Sequence, residues 1–339
     1  MPRRLPPAID SVRWVEDTRG HVESFFLKAN DPDDPRQAFW LKFTLLAPLD
    51  PEAPVLAEVW AIRFDGESQE HRGSKASFPV DRARLSREGL GFEAADCFLR
   101  PGRTRGAIGE GADRVTWDLR FEYRNQRPWL ALPSEWMYEG GFPKNKTYTS
   151  CPATLFTGRL SCGDTAQDIT AWPGMLGHNW GPAHNPAYHW AQCNLFSGSP
   201  STVFEGVSAR IPIGPFLSPW LTMATVRHEG EELRFNRFAR VLNRSVRTQL
   251  FGWSFRSRQG GWQLDWEVNG DQADFAGLAY IDPLGGENHC LNSKIASCKL
   301  KLARKERGKW LDVADLEGPR SCAYEIITQD PSHGVPILA

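Results

Sequence analysis

The sequence predicts an all-β protein made of two antiparallel barrels in tandem, on three observations. Period-two alternation dominates the chain, helical periodicity is weak throughout, and the sequence echoes itself at an offset near 150 residues. The clearest strand is 114–123, where Val115, Trp117, Leu119, Phe121 and Tyr123 share one face and Thr116, Asp118, Arg120 and Glu122 the other. That is the signature of a half-buried antiparallel strand. The segments 38–46, 55–64, 202–213, 220–228, 249–256, 262–268 and 291–302 alternate similarly, with Gly, Pro, Asn and Asp between them.

The echo organises these strands. At an offset of 147, Glu58 falls on Glu205, Arg63 on Arg210 and Asp118 on Asp265, while Asn145, Ser150 and Cys151 fall on Asn292, Ser297 and Cys298. At 150, Trp40 and Leu45 meet Trp190 and Leu195. The expected domains are therefore 1–175 and 176–339, with Gly163-Asp164-Thr165 and Trp172-Pro173-Gly174 interrupting the strands near the boundary. Long strands with large inward side chains suit barrels, and barrels of about eight strands hold one small ligand.

Composition narrows the function. The 339 residues carry 40 Lys+Arg against 41 Asp+Glu, so no global basic field exists to hold nucleic acid. The opening Met1-Pro2-Arg3-Arg4-Leu5-Pro6-Pro7 leads into no signal-like apolar stretch, and no run is long enough for an integral membrane segment. Seven cysteines without a C-x-x-C pair read as reduced and buried, which makes a cytoplasmic location the expectation. Fourteen Trp against six Tyr calls for large apolar surfaces.

Unusual chemistry concentrates in 177–194: Gly177-His178-Asn179-Trp180-Gly181-Pro182-Ala183-His184-Asn185-Pro186-Ala187-Tyr188-His189-Trp190-Ala191-Gln192-Cys193-Asn194. Polar groups of this kind in a mainly apolar site orient a ligand or tie down a loop. His-Asn-Trp-Gly followed by His and by Trp-Ala-Gln-x-Asn resembles the signature of the AttH/CrtC superfamily, which includes carotenoid 1,2-hydratases (hydroxyneurosporene synthases), tocopherol cyclase relatives and lipocalin-like pericyclases. Glu23-Ser24-Phe25-Phe26-Leu27-Lys28 also resembles the first strand of tocopherol cyclase-like proteins, with Ser24 and Phe25 in place of the usual Gly-Trp. The resemblance implies two lipocalin-like domains around a hydrophobic pocket. It does not imply one reaction.

On this reading Glu205, His178 and Asn179 are the catalytic candidates. Glu205 shares a face with Val203, Val207 and Ala209, and a carboxyl against apolar neighbours keeps its proton near neutrality. His178 and Asn179 would hold water or a substrate hydroxyl; their structural alternative is backbone bonding at an inter-domain turn. Trp180, His184, Tyr188, Trp190, Gln192 and Asn194 would line the substrate, with Trp180 and Trp190 facing a developing cation. Glu58 repeats the Glu205 pattern beside Leu56, Trp60 and Ile62, which equally suits a duplicated structural carboxylate. The spacing of His178, His184 and His189 matches no common zinc pattern, and no nucleotide or cofactor motif occurs. The expectation is a cofactor-independent, metal-free enzyme performing acid-initiated hydration or cyclisation of an isoprenoid or polyene, with transient membrane contact for uptake. The alternatives are a carrier of a hydrophobic compound and a pericyclase-like cavity that folds a polyene by shape alone.

Overall fold

Alternation of this strength builds sheets, and the computed structural model, which describes residues 7–339, contains strands, short 3₁₀ turns and, among the described residues, no α-helix. The residues at the start of the opening peptide, Met1 to Pro6, lie outside that range. The first sheet comprises β1 (His21–Asn30), β2 (Gln37–Ala47), β3 (Leu56–Asp65), β4 (Arg72–Pro79), β5 (Ala83–Leu85), β6 (Phe92–Ala94), β7 (Cys97–Arg100), β8 (Arg103–Ile108), β9 (Val115–Phe121), β10 (Trp129–Leu130), β11 (Lys146–Cys162) and β12 (Thr165–Gly181). Its order is β4-β3-β2-β1-β12-β11-β9-β8-β7-β6-β5, with β10 beside β11. The sheet curls until Ser74 Oγ on β4 donates to the Asp113 carbonyl (2.7 Å) beyond β8, giving a nearly closed barrel.

The second half repeats this plan with β13 (Ala187–Cys193), β14 (Val203–Arg210), a small separate hairpin of β15 (Pro212–Ile213) and β16 (Phe216–Leu217), β17 (Leu221–His228), β18 (Glu231–Phe235), β19 (Arg247–Gln249), β20 (Gly252–Gln259), β21 (Trp262–Asn269), β22 (Ala276–Ile281), β23 (Glu287–Glu306) and β24 (Lys309–Thr328). Its order is β18-β17-β14-β13-β24-β23-β21-β20-β19, with β22 beside β23. The two-barrel expectation therefore holds, and all eight segments read as strands fall on strands.

Two readings need correction. Trp172-Pro173-Gly174 does not interrupt a strand: β12 runs on to Gly181 within the first sheet. Pro173 is tolerated because it faces Leu155 on β11 just before pairing with β1 begins at Gly174, so its missing N–H breaks no ladder bond on that side. The echo is also only half equivalent. Asp118 and Asp265 occupy matching strands, β9 and β21, each ion-paired to an arginine of the preceding strand, Arg103 or Arg256. Glu58, however, lies three strands from the closing strand β12, whereas Glu205 lies two from β24. Trp40 and Trp190 are offset in the same way, on β2 and β13.

Each barrel is filled by its own side chains. Phe25, Leu27, Phe43, Trp117, Phe156 and Trp172 pack the first; Phe204, Trp253, Phe255, Trp266, Leu300 and Tyr324 pack the second. The two barrels meet through the other face of their strands. Trp40, Trp60, Ile62 and Phe64 pack on Leu278, Tyr280, Ile295 and Ile327 across this seam, and Phe26 and Met175 pack on Trp190 and Ala323.

Candidate functional site

The motif of residues 177–194 splits at this seam because neighbouring residues of a strand face opposite ways. On β12, Leu176, His178 and Trp180 turn into the first barrel, while Met175, Gly177 and Asn179 turn out of it. Gly177 lacks a side chain because Phe26 of β1 occupies the place: a Cβ there would lie 2.4 Å from the Phe26 ring. His178 and Asn179, grouped by the sequence reading as one polar wall, are therefore on opposite sides of the sheet. His178 is fully buried and Asn179 is exposed.

Inside the first barrel His178 Nε2 lies 2.8 Å from Glu23 Oε1, and its ring stacks on Phe25 at 4.1 Å and tilts over Trp180 at 4.6 Å. Glu23 also accepts the backbone N–H groups of Arg13 and Trp14 at 2.8 to 3.0 Å and a bond from His21 at 3.1 Å. Burial alone would raise the Glu23 pKa; the bonds from His178 and His21 outweigh it and bring it to about 2. Close by, Asp10 bonds the Tyr123 hydroxyl and pairs with Arg124 at 3.5 Å. These contacts seat the segment around residues 10–14 in the mouth of the barrel. Glu23 is the residue that motif reasoning missed, and the signal was present: it shares parity with inward Phe25 and Leu27.

On the seam side Glu205 stands apart. Its carboxyl meets the Thr149 hydroxyl of β11 at 2.7 and 2.8 Å and accepts the Trp190 indole N–H at 3.1 Å. Burial raises its pKa above the ordinary carboxylate value, partly offset by these two bonds, and no cation pairs with it among the described residues. The Thr149 hydroxyl donates to the carboxyl and the Trp190 indole N–H to its Oε1, so the group is held in place from both flanking strands. Glu205 thus has the apolar side predicted, but that side is the seam rather than a barrel interior. Glu58 also faces outward, but Lys75 binds it at 2.8 Å, a cation partner that Glu205 lacks among the described residues, which ends the parallel between them.

The remaining candidates separate into clamps and seam walls. Gln192 donates to the Pro152 carbonyl (3.1 Å) and Asn194 to the Gly174 carbonyl (2.8 Å), so both stitch β13 to the first barrel. Asn194 also accepts from buried Lys28 at 3.2 Å. His184 sits on the linker after β12, held by Asp282 and stacked on Tyr280 at 5.3 Å. His189 turns into the second barrel against Tyr324, 2.8 Å away. The three histidines thus never converge, and no set of His, Cys, Asp and Glu suited to a metal ion occurs among the described residues. Tyr188 and Trp190 do face the seam. Trp180 and Trp190 each already carry a protein cation, Arg13 at 5.3 Å and Lys294 at 5.8 Å from the ring centre, so a substrate cation would compete for those rings.

The seam holds further ionisable groups unforeseen from the motif. Lys42 is buried with its ammonium 3.7 Å from the centre of the Tyr280 ring, and burial lowers its pKa to about 8. Lys294 pairs with Glu325 at 2.9 Å. Lys42 interrupts the apolar run Phe39-Trp40-Leu41-Lys42-Phe43, and Lys294 follows polar Asn292-Ser293; both lie where both strand faces are covered.

Comparison with known proteins agrees with this architecture. The family described as tocopherol cyclase-like matches residues 151–326. Among solved structures, an AttH-assigned protein of Nitrosomonas europaea superposes with a TM-score of 0.53 at 13% identity, covering 96% of this chain and 97% of its own. Kievitone hydratase from Nectria haematococca gives 0.50 at 12% identity, with coverage of 92% and 89%. CghA in complex with Sch210972 gives 0.55 at 12% identity, with 95% of both chains covered. No curated protein sequence matches the chain.

Proposed function

The chain belongs to the tocopherol cyclase-like family, and on that premise we propose that it is a hydratase- or cyclase-type enzyme that protonates an apolar, isoprenoid- or polyene-like substrate held in the seam, with Glu205 as the acid. The observation that carries this is the Glu205 carboxyl itself: its pKa raised by burial, free of any cation partner among the described residues, and oriented by Thr149 and Trp190 between the barrels. A carboxylate ion-paired to a lysine, as Glu58 is to Lys75, is a poorer candidate for a proton donor. The packed barrel interiors support placing the substrate between the barrels.

In the proposed reaction the O–H bond of Glu205 breaks as a C–H bond forms on the olefin, leaving a carboxylate and a carbocation. Water captures the cation in a hydration; a substrate hydroxyl captures it in a cyclisation. The capturing oxygen then returns its proton to Glu205, so the acid is regenerated and no electrons are exchanged. Asn179, paired with Thr147, shares a sheet face with Thr149 two register pairs away, the side from which the capturing oxygen would be held. Excluding bulk water protects the cation from random quenching.

The test is incubation with lipid extract or defined polyenes in D₂O, followed by mass spectrometry. Acid-initiated chemistry places one non-exchangeable deuterium on carbon, and Glu205→Gln should lower turnover by at least about a hundredfold while ligand binding persists, as expected of a general acid. Turnover without deuterium would point to a shape-driven pericyclic step. A compound that co-purifies but is never consumed would instead make the protein a carrier.

A further inference from the structure

Away from the seam, two adjoining loops of the second barrel have a composition that no packing role explains. The hairpin of β15 and β16 carries no charge, and its side chains stand in solvent: Ile213 is 58% and Phe216 74% exposed. Beside it, residues 236–247 contain four arginines and no acid, together with Phe238, 69% exposed, and Leu242, 49% exposed. The loops are contiguous: the Thr222 N–H donates to the Val241 carbonyl at 2.7 Å, Asn243 N–H to Trp220 at 3.0 Å, and Leu221 bridges Leu242. Arg237, Arg240, Arg244 and Arg247 are all exposed, and no carboxylate pairs with them among the described residues. A groove of ≈ 260 Å³ lined by Arg240, Leu242, Asn243, Ser245, Arg256 and Arg258 opens next to them.

We propose that this face docks on an anionic lipid bilayer, with Ile213 and Phe216 entering the acyl boundary and the arginines meeting headgroup phosphates. Apolar tips ringed by unpaired guanidiniums are complementary to a surface that is apolar beneath and negative above. A second copy of the chain fits poorly, because a two-fold contact through this patch would set arginines against arginines. A nucleic acid would satisfy the arginines but leave the apolar hairpin in water. The surface is separate from Glu205 and its binding is measured without substrate, so failure here leaves the catalytic proposal standing, and the reverse also holds.

The experiment is flotation of the full chain with vesicles of pure phosphatidylcholine and of phosphatidylcholine mixed with phosphatidylglycerol. Binding should favour the anionic vesicles and fall steeply near 1 M salt, where the Debye length is about 3 Å. Phe216→Ser should weaken it on the order of tenfold, and Arg240→Ser with Arg244→Ser by roughly fivefold per arginine. Both sites are exposed, and an unchanged circular dichroism spectrum confirms that the variants are folded. Ile213→Ser repeats the test at a second position. Absence of vesicle binding, binding indifferent to these changes, a dimer abolished by Phe216→Ser, or preferential binding of an RNA or DNA probe would each overturn the proposal.

Discussion

Lys42 illustrates how one residue can be costly to the fold. Its ammonium is buried against an aromatic face, and no carboxylate bonds it among the described residues. Because its pKa falls from 10.5 to about 8, the native state binds fewer protons than the unfolded chain between those values. Stability from this site therefore rises with pH through that window and carries its full penalty below pH 8. Lys42→Met should raise stability at neutral pH by about 1–3 kcal/mol, with the difference from wild type shrinking towards pH 10.5, as read by thermal or urea unfolding. An unchanged pH profile in the variant would show that another group sets the slope; Lys28, also lowered to about 8 by burial, is the next to test. Buried at such a cost beside the seam, Lys42 is a further residue at which to test the proposed seam site.

At the level of elements, strands of opposite parity divide the labour of the central motif. Glu23 ties the segment around Arg13 and Trp14 to β1 and β12 through buried, charge-assisted bonds. Glu23→Gln should cost about 3 kcal/mol and speed hydrogen exchange in residues 10–18 well beyond the rest of the barrel. Protection unchanged in that segment would refute its anchoring role. Much of the element-level pattern is legible in the sequence: alternation locates eight strand segments, and it puts Glu205 on one face with Val203, Val207 and Ala209, though that face is the seam and not a barrel interior. What alternation leaves open is which of two covered faces is the barrel interior. Glu205 and Glu58 read as inward because a lone barrel has an apolar inside and a wet outside, whereas here the outside of each barrel is the inside of the molecule. Of the long hairpin strands, alternation finds only 291–302 within β23, because bulges, as between Thr149 and Cys151 on β11, reset the pattern.

For the whole molecule, the seam makes the barrels interdependent. Asn30 donates to the Lys294 carbonyl at 2.7 Å, Gln192 and Asn194 cross in the opposite direction, and Trp40, Trp60 and Phe64 pack in one cluster with Leu278, Tyr280 and Ile295 of the other barrel. A fragment of residues 1–185 should expose that aromatic face, bind a hydrophobic dye strongly and associate in size-exclusion chromatography, while the intact chain unfolds in one transition. A monomeric, dye-silent fragment would show that each half is self-sufficient. The tandem plan was readable from the Asp118 and Asp265 match, since outward ion pairs survive in equivalent places. The seam was not, because residues such as Glu58 and Glu205 align by count yet sit on strands of different rank.

The two long hairpins, β11–β12 and β23–β24, each line the seam near their bulges and a barrel interior further out, where they end in tight turns at Gly163 and Gly308, both with positive φ. One residue gained or lost inside either ribbon would exchange every downstream side chain between the two sides of its sheet. The turns are therefore where a change of length would disturb the packing least. Those same turns, remote from the seam, are the natural attachment points for fluorophores or fused reporters with which to follow the two barrels in solution.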